Sequence, residues 1–162
     1  MSDMRTLAAT LFALVAGAAA AADRPDPTFH ARLDRGMCLG SCPVYTVEID
    51  ADGAVAFAGY PSQHGPGVPC QGLRRWRASP EAMVQLKSTI DRSGVFSLKS
   101  AYEARVTDMS AFIVSVTRHG RTKTIKDYAG QLVGMPKAVT EIENAIDVAA
   151  DTRACVAGTG KH

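Results

Sequence analysis

The sequence predicts an α+β fold, a two-layer sandwich in which an antiparallel sheet of two hairpins plus a short strand is covered on one face by two helices. Two segments, 45–57 and 112–126, alternate apolar and polar residues around a turn, which is typical of hairpins. Two others, after Ser79 and after Pro136, repeat apolar residues at helical spacing. The chain has 162 residues, of which 46% are hydrophobic and 21% charged, as in one globular domain.

The first segment is predicted to be a signal peptide rather than part of the fold. Residues 1–22 place Arg5 before an apolar run, and Ala20 and Ala22 form an A-x-A cleavage pattern. The alternative is an uncleaved anchor, but the run of about 16 residues is shorter than the roughly 20 that span a bilayer. We therefore expect a periplasmic or secreted protein with no stable membrane insertion after cleavage.

The rest of the chain is predicted to form one domain with short flexible ends. Residues 23–32 begin with charged residues and a proline (DRPD) and are expected to be a flexible lead-in. The single α+β domain is expected to cover 33–155, and 156–162 are expected to be a flexible tail.

The first hairpin is predicted from alternation on both sides of an Asp-Gly turn. Apolar residues occupy alternate positions in 45–49, Asp52 and Gly53 supply the turn, and Val55 and Phe57 resume the alternation. The Gly- and Pro-rich segment 59–72 (GYPSQHGPGVPCQG) then predicts a long loop.

A third short strand and the first helix follow this loop. Residues 73–78 (LRRWRA) predict the strand. Ser79, Pro80 and Glu81 have the order of an N-cap, a first-position proline and a first-turn acid. The apolar face is Met83, Leu86 and Ile90. Gly94 ends the helix in the position that favours a left-handed cap.

The second half repeats the order of hairpin and helix. Residues 112–117 (FIVSVT) alternate, His119 and Gly120 make a turn, and 122–126 return. Pro136 begins the last predicted helix. Its apolar stripe is Val139, Ile142, Ile146 and Ala149.

The four cysteines, Cys38, Cys42, Cys70 and Cys155, predict two disulfides in an oxidising compartment. Three pairings are open. Cys38 and Cys42 are four positions apart on a Gly-containing loop, so a local bridge is sterically allowed. That choice pairs Cys70 with Cys155, 85 positions away. The competing interpretation is a thiol–disulfide redox pair at Cys38 and Cys42, although thioredoxin-type chemistry uses Cys-x-x-Cys at a helix N-terminus.

Residues 35–59 (RGMCLGSCPVYTVEIDADGAVAFAG) resemble a family of small exported domains of unknown function. The shared signature is Cys-x-Gly-x-Cys-Pro-x-Tyr, followed by a strand, Asp-Gly and a second strand. It is carried here by Cys38, Gly40, Cys42, Pro43, Tyr45, Asp52 and Gly53. The likeness extends over about 33–155 and implies export and an α+β fold, without an established activity.

Three polar residues are candidates for a binding site. Tyr45 and Asp108 lie near the Cys38–Cys42 segment in the expected fold, and His64 lies within the long loop. For Tyr45 and Asp108 the alternative is structural: a core tyrosine with a satisfied hydroxyl, and an aspartate that caps a turn. A long Gly-rich loop is a common binding element, whereas a lone histidine is more often exposed or capping.

Charge and motifs narrow the function classes. Lys plus Arg number 18 and Asp plus Glu 16, and the net charge of +2 gives no field for nucleic acid. The scattered histidines predict no metal site, and no catalytic or cofactor motif occurs. The sequence therefore predicts a non-catalytic module that binds an unknown protein or envelope component, with no cofactor. The redox protein is the alternative.

Overall fold

The structure is a computed structural model, and it describes residues 26–65 and 67–158. The predicted signal peptide, residues 1–22, lies outside the described residues. Within the described part of the chain, no helix has the length and hydropathy that crossing a membrane requires.

The fold is one seven-stranded sheet with helices, which confirms the predicted α+β sandwich. The strands are β1 His30–Arg35, β2 Val44–Asp50, β3 Ala54–Tyr60, β4 Gly72–Arg77, β5 Ala101–Glu103, β6 Ala111–Arg118 and β7 Arg121–Tyr128. The helices are α1 Pro80–Ser93, α2 Lys137–Ala150 and α3 Arg153–Ala157, with 3-10 turns at Val95–Ser97 and Gly130–Val133. The strand order is β4-β3-β2-β1-β6-β7-β5. All neighbours are antiparallel except β5 and β7, which are parallel.

The central strand, β1, corrects the prediction that 23–32 form a flexible lead-in. β1 begins at His30 and pairs with β2 on one side and β6 on the other, so it joins the two hairpins. Ala31 and Leu33 are fully buried. Charged residues interrupt the apolar pattern of β1, so its alternation is hard to recognise in the sequence. One of them, Arg32, faces the open side of the sheet and bonds there to Asp34 (Nε to Oδ2 2.9 Å) and Glu48.

Helices α1 and α2 form the second layer, and α1 has its predicted caps, while α2 begins at Lys137, directly after Pro136. Ser79 Oγ accepts a hydrogen bond from the Ala82 amide (3.1 Å), and Gly94 ends α1 with φ +63°. The buried side chains of these helices include Met83, Leu86, Ile90, Val139, Ile142 and Ile146. Each large aliphatic group buried in this way stabilises the fold by about 1.5–3 kcal/mol.

The C-terminal end differs from the prediction, because α2 is followed by the short helix α3. Residues 156 and 157, expected to be flexible, belong to α3. Cys155, on α3, is fully buried and forms a disulfide with Cys70. The second disulfide joins Cys38 to Cys42. Of the three open pairings, the structure contains the one with the local bridge.

Candidate functional site

One row of side chains runs across four adjacent strands on the helix-covered face of the sheet. Strand register places Tyr45 opposite Arg35, Arg35 opposite Phe112, and Phe112 opposite Asp127. Residues directly opposite each other in paired strands share a face. The row therefore brings together four strands at the end of the sheet where β1 leads into the Cys38–Cys42 loop.

Helix α2 supplies the carboxylate that binds this row, Asp147. Arg35 donates two hydrogen bonds to Asp147 Oδ2, from Nε (3.0 Å) and Nη2 (2.6 Å). The Tyr45 hydroxyl and the Thr152 hydroxyl each donate to Oδ1 at 2.8 Å. Burial, and then the charge of Asp147, raise the pKa of Tyr45. Tyr45 is thus a neutral donor with a satisfied hydroxyl.

A second α2 carboxyl group, Glu143, lies one turn before Asp147. It is 2% exposed, and its Oε1 has no hydrogen-bond partner among the described residues. Burial first, and then the charges of Asp127 and Asp147, raise the pKa of Glu143 to about 7 against the opposing charge of Arg35. Glu143 therefore exchanges its proton near neutral pH.

The first groove opens over the Arg35–Asp147 pair and has a volume of about 540 Å³. Tyr45 and Thr152 line it beside that pair, and Val156 of α3 contributes an apolar wall. The Arg35 guanidinium lies 4.4 Å from the centre of the Phe112 ring, a cation–π distance. Arg35, Tyr45, Asp147 and Thr152 are consequently engaged with one another in this groove.

The second groove adjoins the first and also measures about 540 Å³. Cys42, Ser110 and Phe112 line both grooves, so these residues form the divide between them. Asp108 and Asp127 supply carboxylates to the second groove. Its apolar wall includes Met109, Phe112, Ala129 and Leu132.

The disulfide loop beside this divide is held by backbone contacts. The Gly36 amide donates to the Ala111 carbonyl (2.8 Å) and the Leu39 amide to the Asp108 carbonyl (3.3 Å). The Ser110 hydroxyl donates to the Gly36 carbonyl. Exposed apolar side chains surround the loop and the second groove: Met37, Leu39, Met109 and Leu132, each more than half exposed.

The three predicted site residues are not brought into one site. Tyr45 lines the first groove and Asp108 the second, on opposite sides of the Phe112 divide. Asp108 is exposed with φ +67°, and its Oδ2 accepts from the Thr107 hydroxyl (3.1 Å). The exposed His64 contacts the disulfide loop through its backbone amide, which donates to the Gly40 carbonyl (3.3 Å). Neither groove includes His64 among its described lining residues.

Sequence reasoning missed Arg35, Asp127 and Glu143 as site residues. A signal existed for Glu143, because it follows Val139 by four positions and so projects only about 40° away on a helix. That direction lies within the apolar stripe, where a carboxylate is unusual. Arg35 and Asp127 gave no comparable signal, since only the pairing of distant strands places them in one row.

Metal and thiol chemistry have few candidates here. Among residues 26–65 and 67–158, no group of three or more His, Cys, Asp or Glu side chains is arranged to hold a metal ion. Each of the four cysteines is in a disulfide. The loop of Cys38 and Cys42 joins two strands, so neither sulfur has the helix N-terminus that lowers a thiol pKa in thioredoxin-like proteins.

Residues 30–150 match a family described as a domain of unknown function, DUF6438. The chain belongs to the DUF6438 family. A search of curated proteins finds no match to it. The matched DUF6438 segment starts with β1 and ends with α2, so it contains the whole row together with Glu143 and Asp147. Helix α3, with Cys155, follows the matched segment.

Proposed function

We propose that this DUF6438 domain is an exported, non-catalytic binding module of the cell envelope. Its binding surface is the pair of grooves on either side of Phe112, together with the Cys38–Cys42 loop. One observation carries the proposal. Exposed apolar side chains line the second groove, whereas Arg35, Tyr45, Asp147 and Thr152 in the first groove are paired with one another.

The export part of the proposal is supported by the cysteines and the N-terminal sequence. Two disulfides persist in oxidising compartments such as the periplasm and are rare in the cytosol. The predicted signal peptide over 1–22 accounts for delivery to such a compartment.

Binding is favoured over catalysis by the state of Asp147 and Tyr45, and by the absence of Glu143, with its pKa of about 7, from the described lining of either groove. Asp147 accepts four hydrogen bonds, and Tyr45 has a raised pKa, so neither is poised to take a proton from a substrate. A groove of about 540 Å³ with apolar walls and a few polar groups has the size and character of a ligand site.

The exposed apolar side chains beside the loop and the second groove form an apolar rim, which a surface that binds nothing would not need. Met109 and Leu132 line the groove, and Met37 and Leu39 are exposed on the adjoining disulfide loop. Contiguous exposed apolar side chains mark interaction sites on proteins of this size. The disulfide and the backbone bonds of the loop fix this rim before a ligand arrives, which lowers the entropic cost of binding.

Backbone NMR of the exported protein against fractionated envelope extract tests the proposal. We expect shifts centred on Met109 and Leu132, and a weaker response in Leu132→Ser. Leu73→Ser is the matched control, since Leu73 is an exposed leucine on the opposite sheet edge, in β4. Shifts centred away from both grooves would contradict the binding surface. A saturable turnover abolished by Tyr45→Phe would contradict the non-catalytic role.

A further inference from the structure

The second groove has an unbalanced charge. Among the described residues that line it, Asp108 and Asp127 are carboxylates and none is basic. The whole chain, by contrast, carries a net charge of +2. A groove that concentrates negative charge in a slightly basic protein favours a cationic occupant.

One carboxylate oxygen of Asp127 is available to bind such a cation. It is 7% exposed, and that exposed part belongs to the groove lining. The hydrogen bond that the described residues give it runs from the Gly130 amide to Oδ1 (2.7 Å). Oδ2 accepts no such bond and is not one of the buried unpartnered atoms, so an added donor can reach it.

Glu143 is an independent sign of a missing donor. It is 98% buried, its Oε1 has no partner in the described part of the chain, and Asp127 is its strongest charged neighbour. Buried polar atoms in folded proteins are nearly always hydrogen-bonded. Glu143 is not among the described residues that line either groove, so its unpartnered oxygen indicates an excess of acceptor groups in this part of the fold rather than a contact with the ligand itself.

Arg35 does not supply positive charge to the second groove. Arg35 uses both Nε and Nη2 on Asp147 and lines the first groove, not the second. Two carboxyl groups, Asp147 and Glu143, thus share one guanidinium. The imbalance falls on the Asp127 side of the Phe112 divide.

The walls of the groove define the rest of the ligand. Met109, Phe112, Ala129 and Leu132 offer apolar surface, and a volume of about 540 Å³ is that of a small-molecule site. A ligand that fits both features has a charged head and an apolar body. A primary ammonium brings three N–H donors to the head position.

On the basis of the proposed binding function, we propose that the second groove binds a small alkylammonium ligand. Its ammonium bonds to Asp127 Oδ2, with Asp108 adding negative charge, and its alkyl body packs against Met109, Phe112 and Leu132. No covalent step is involved.

Binding at this position is coupled to the protonation of Glu143. The charged groups that act on Glu143 are Asp127 of β7, Arg35 of β1 and Asp147 of α2. A cation beside Asp127 lowers the pKa of Glu143 from about 7, so binding releases a proton. Affinity consequently rises as the pH increases through 7. Glu143→Gln removes that pH dependence and keeps the side-chain shape.

Titration of the oxidised protein with hexylamine, followed by backbone NMR, tests the ligand class. Hexanol and hexanoate are the matched neutral and anionic probes. The ammonium group, like a lysine side chain, stays charged between pH 5.5 and 8.5. We expect hexylamine to bind at least about tenfold more tightly than hexanol, which is about 1.4 kcal/mol, and hexanoate to bind most weakly. The shifts should centre on Met109 and 129–132.

Asp127→Asn is the decisive variant, because its amide oxygen still accepts the Gly130 N–H. We expect hexylamine affinity to fall to that of hexanol, with hexanol binding and melting temperature retained. Asp52→Asn, at an exposed turn outside both grooves, is the control and should leave the affinities for hexylamine and hexanol unchanged. Equal binding of amine and alcohol, undiminished amine binding in Asp127→Asn, or binding only of a lysine-bearing peptide would overturn the inference. If envelope extract still shifts groove residues in that case, the proposed function stands without this ligand.

Discussion

The two disulfides should contribute unequally to stability, and the Cys70–Cys155 bridge should contribute more. It joins residues 85 positions apart, whereas Cys38 and Cys42 are 4 apart. The loop-entropy relation gives about 4.6 kcal/mol for the long loop and about 2 kcal/mol for the short one. The structure agrees with a tying role, since the bridge fixes α3 to the segment before β4 and the Cys70 amide donates to the Cys155 carbonyl (3.2 Å).

The difference of about 2.5 kcal/mol is measurable by thermal unfolding. At about 4 °C per kcal/mol for a domain of this size, C70A/C155A should melt about 10 °C below C38A/C42A. Urea unfolding should give the same order in the free energy of unfolding.

Reduction provides the control for this comparison. In dithiothreitol both variants lose their remaining bridge, so their melting temperatures should converge. A difference that persists after reduction would come from side-chain packing at the buried Cys155. If the oxidised C38A/C42A variant is the less stable of the two, the loop-entropy reasoning is refuted.

Four further predictions follow from single contacts. Arg35→Met should lower the free energy of unfolding by about 3 kcal/mol in urea titrations, because it leaves the mostly buried Asp147 carboxylate without its ion-pair partner. An unchanged urea midpoint would contradict that pairing. Glu143 has a folded pKa raised to about 7 from 4.5, so its protonated form stabilises the fold fully below about 4.5. Urea unfolding across pH should therefore show a contribution lost as the pH rises through 7, and Glu143→Gln should flatten this part of the profile. Gly53→Val should cost about 1–3 kcal/mol, because φ there is +81° and a β-branched residue is strained in that region; equal melting temperatures would exclude the strain. The Cys38–Cys42 bridge should resist glutathione in thiol-trapping assays, and ready reduction would favour the redox alternative.

The local elements of this fold were predictable because their signals are local. Alternation, a turn or a cap lies within a dozen residues, and the structure contains both hairpins, β4, α1 and α2 where these signals place them. β1 was not predictable in the same way. Its two apolar residues are buried only because β1 pairs with β2 and β6, and β6 lies some 80 residues away in the chain.

The site was predictable only in part, for the same reason. Tyr45 and Asp108 line grooves, but their separation by Phe112 depends on strand register. The Arg35–Asp147 pair joins residues 112 positions apart, and no periodicity signals it. Charged residues are expected at the surface, so their burial has to be seen in the structure.

Non-reducing peptide mapping of the protein recovered from the periplasmic fraction tests the central claim most directly. The account predicts a chain that begins at Asp23, in which Cys38 and Cys42 form a bridge within one peptide and the peptides of Cys70 and Cys155 are linked to each other. Recovery from the cytoplasm alone, with Met1 retained and four free thiols, would contradict it.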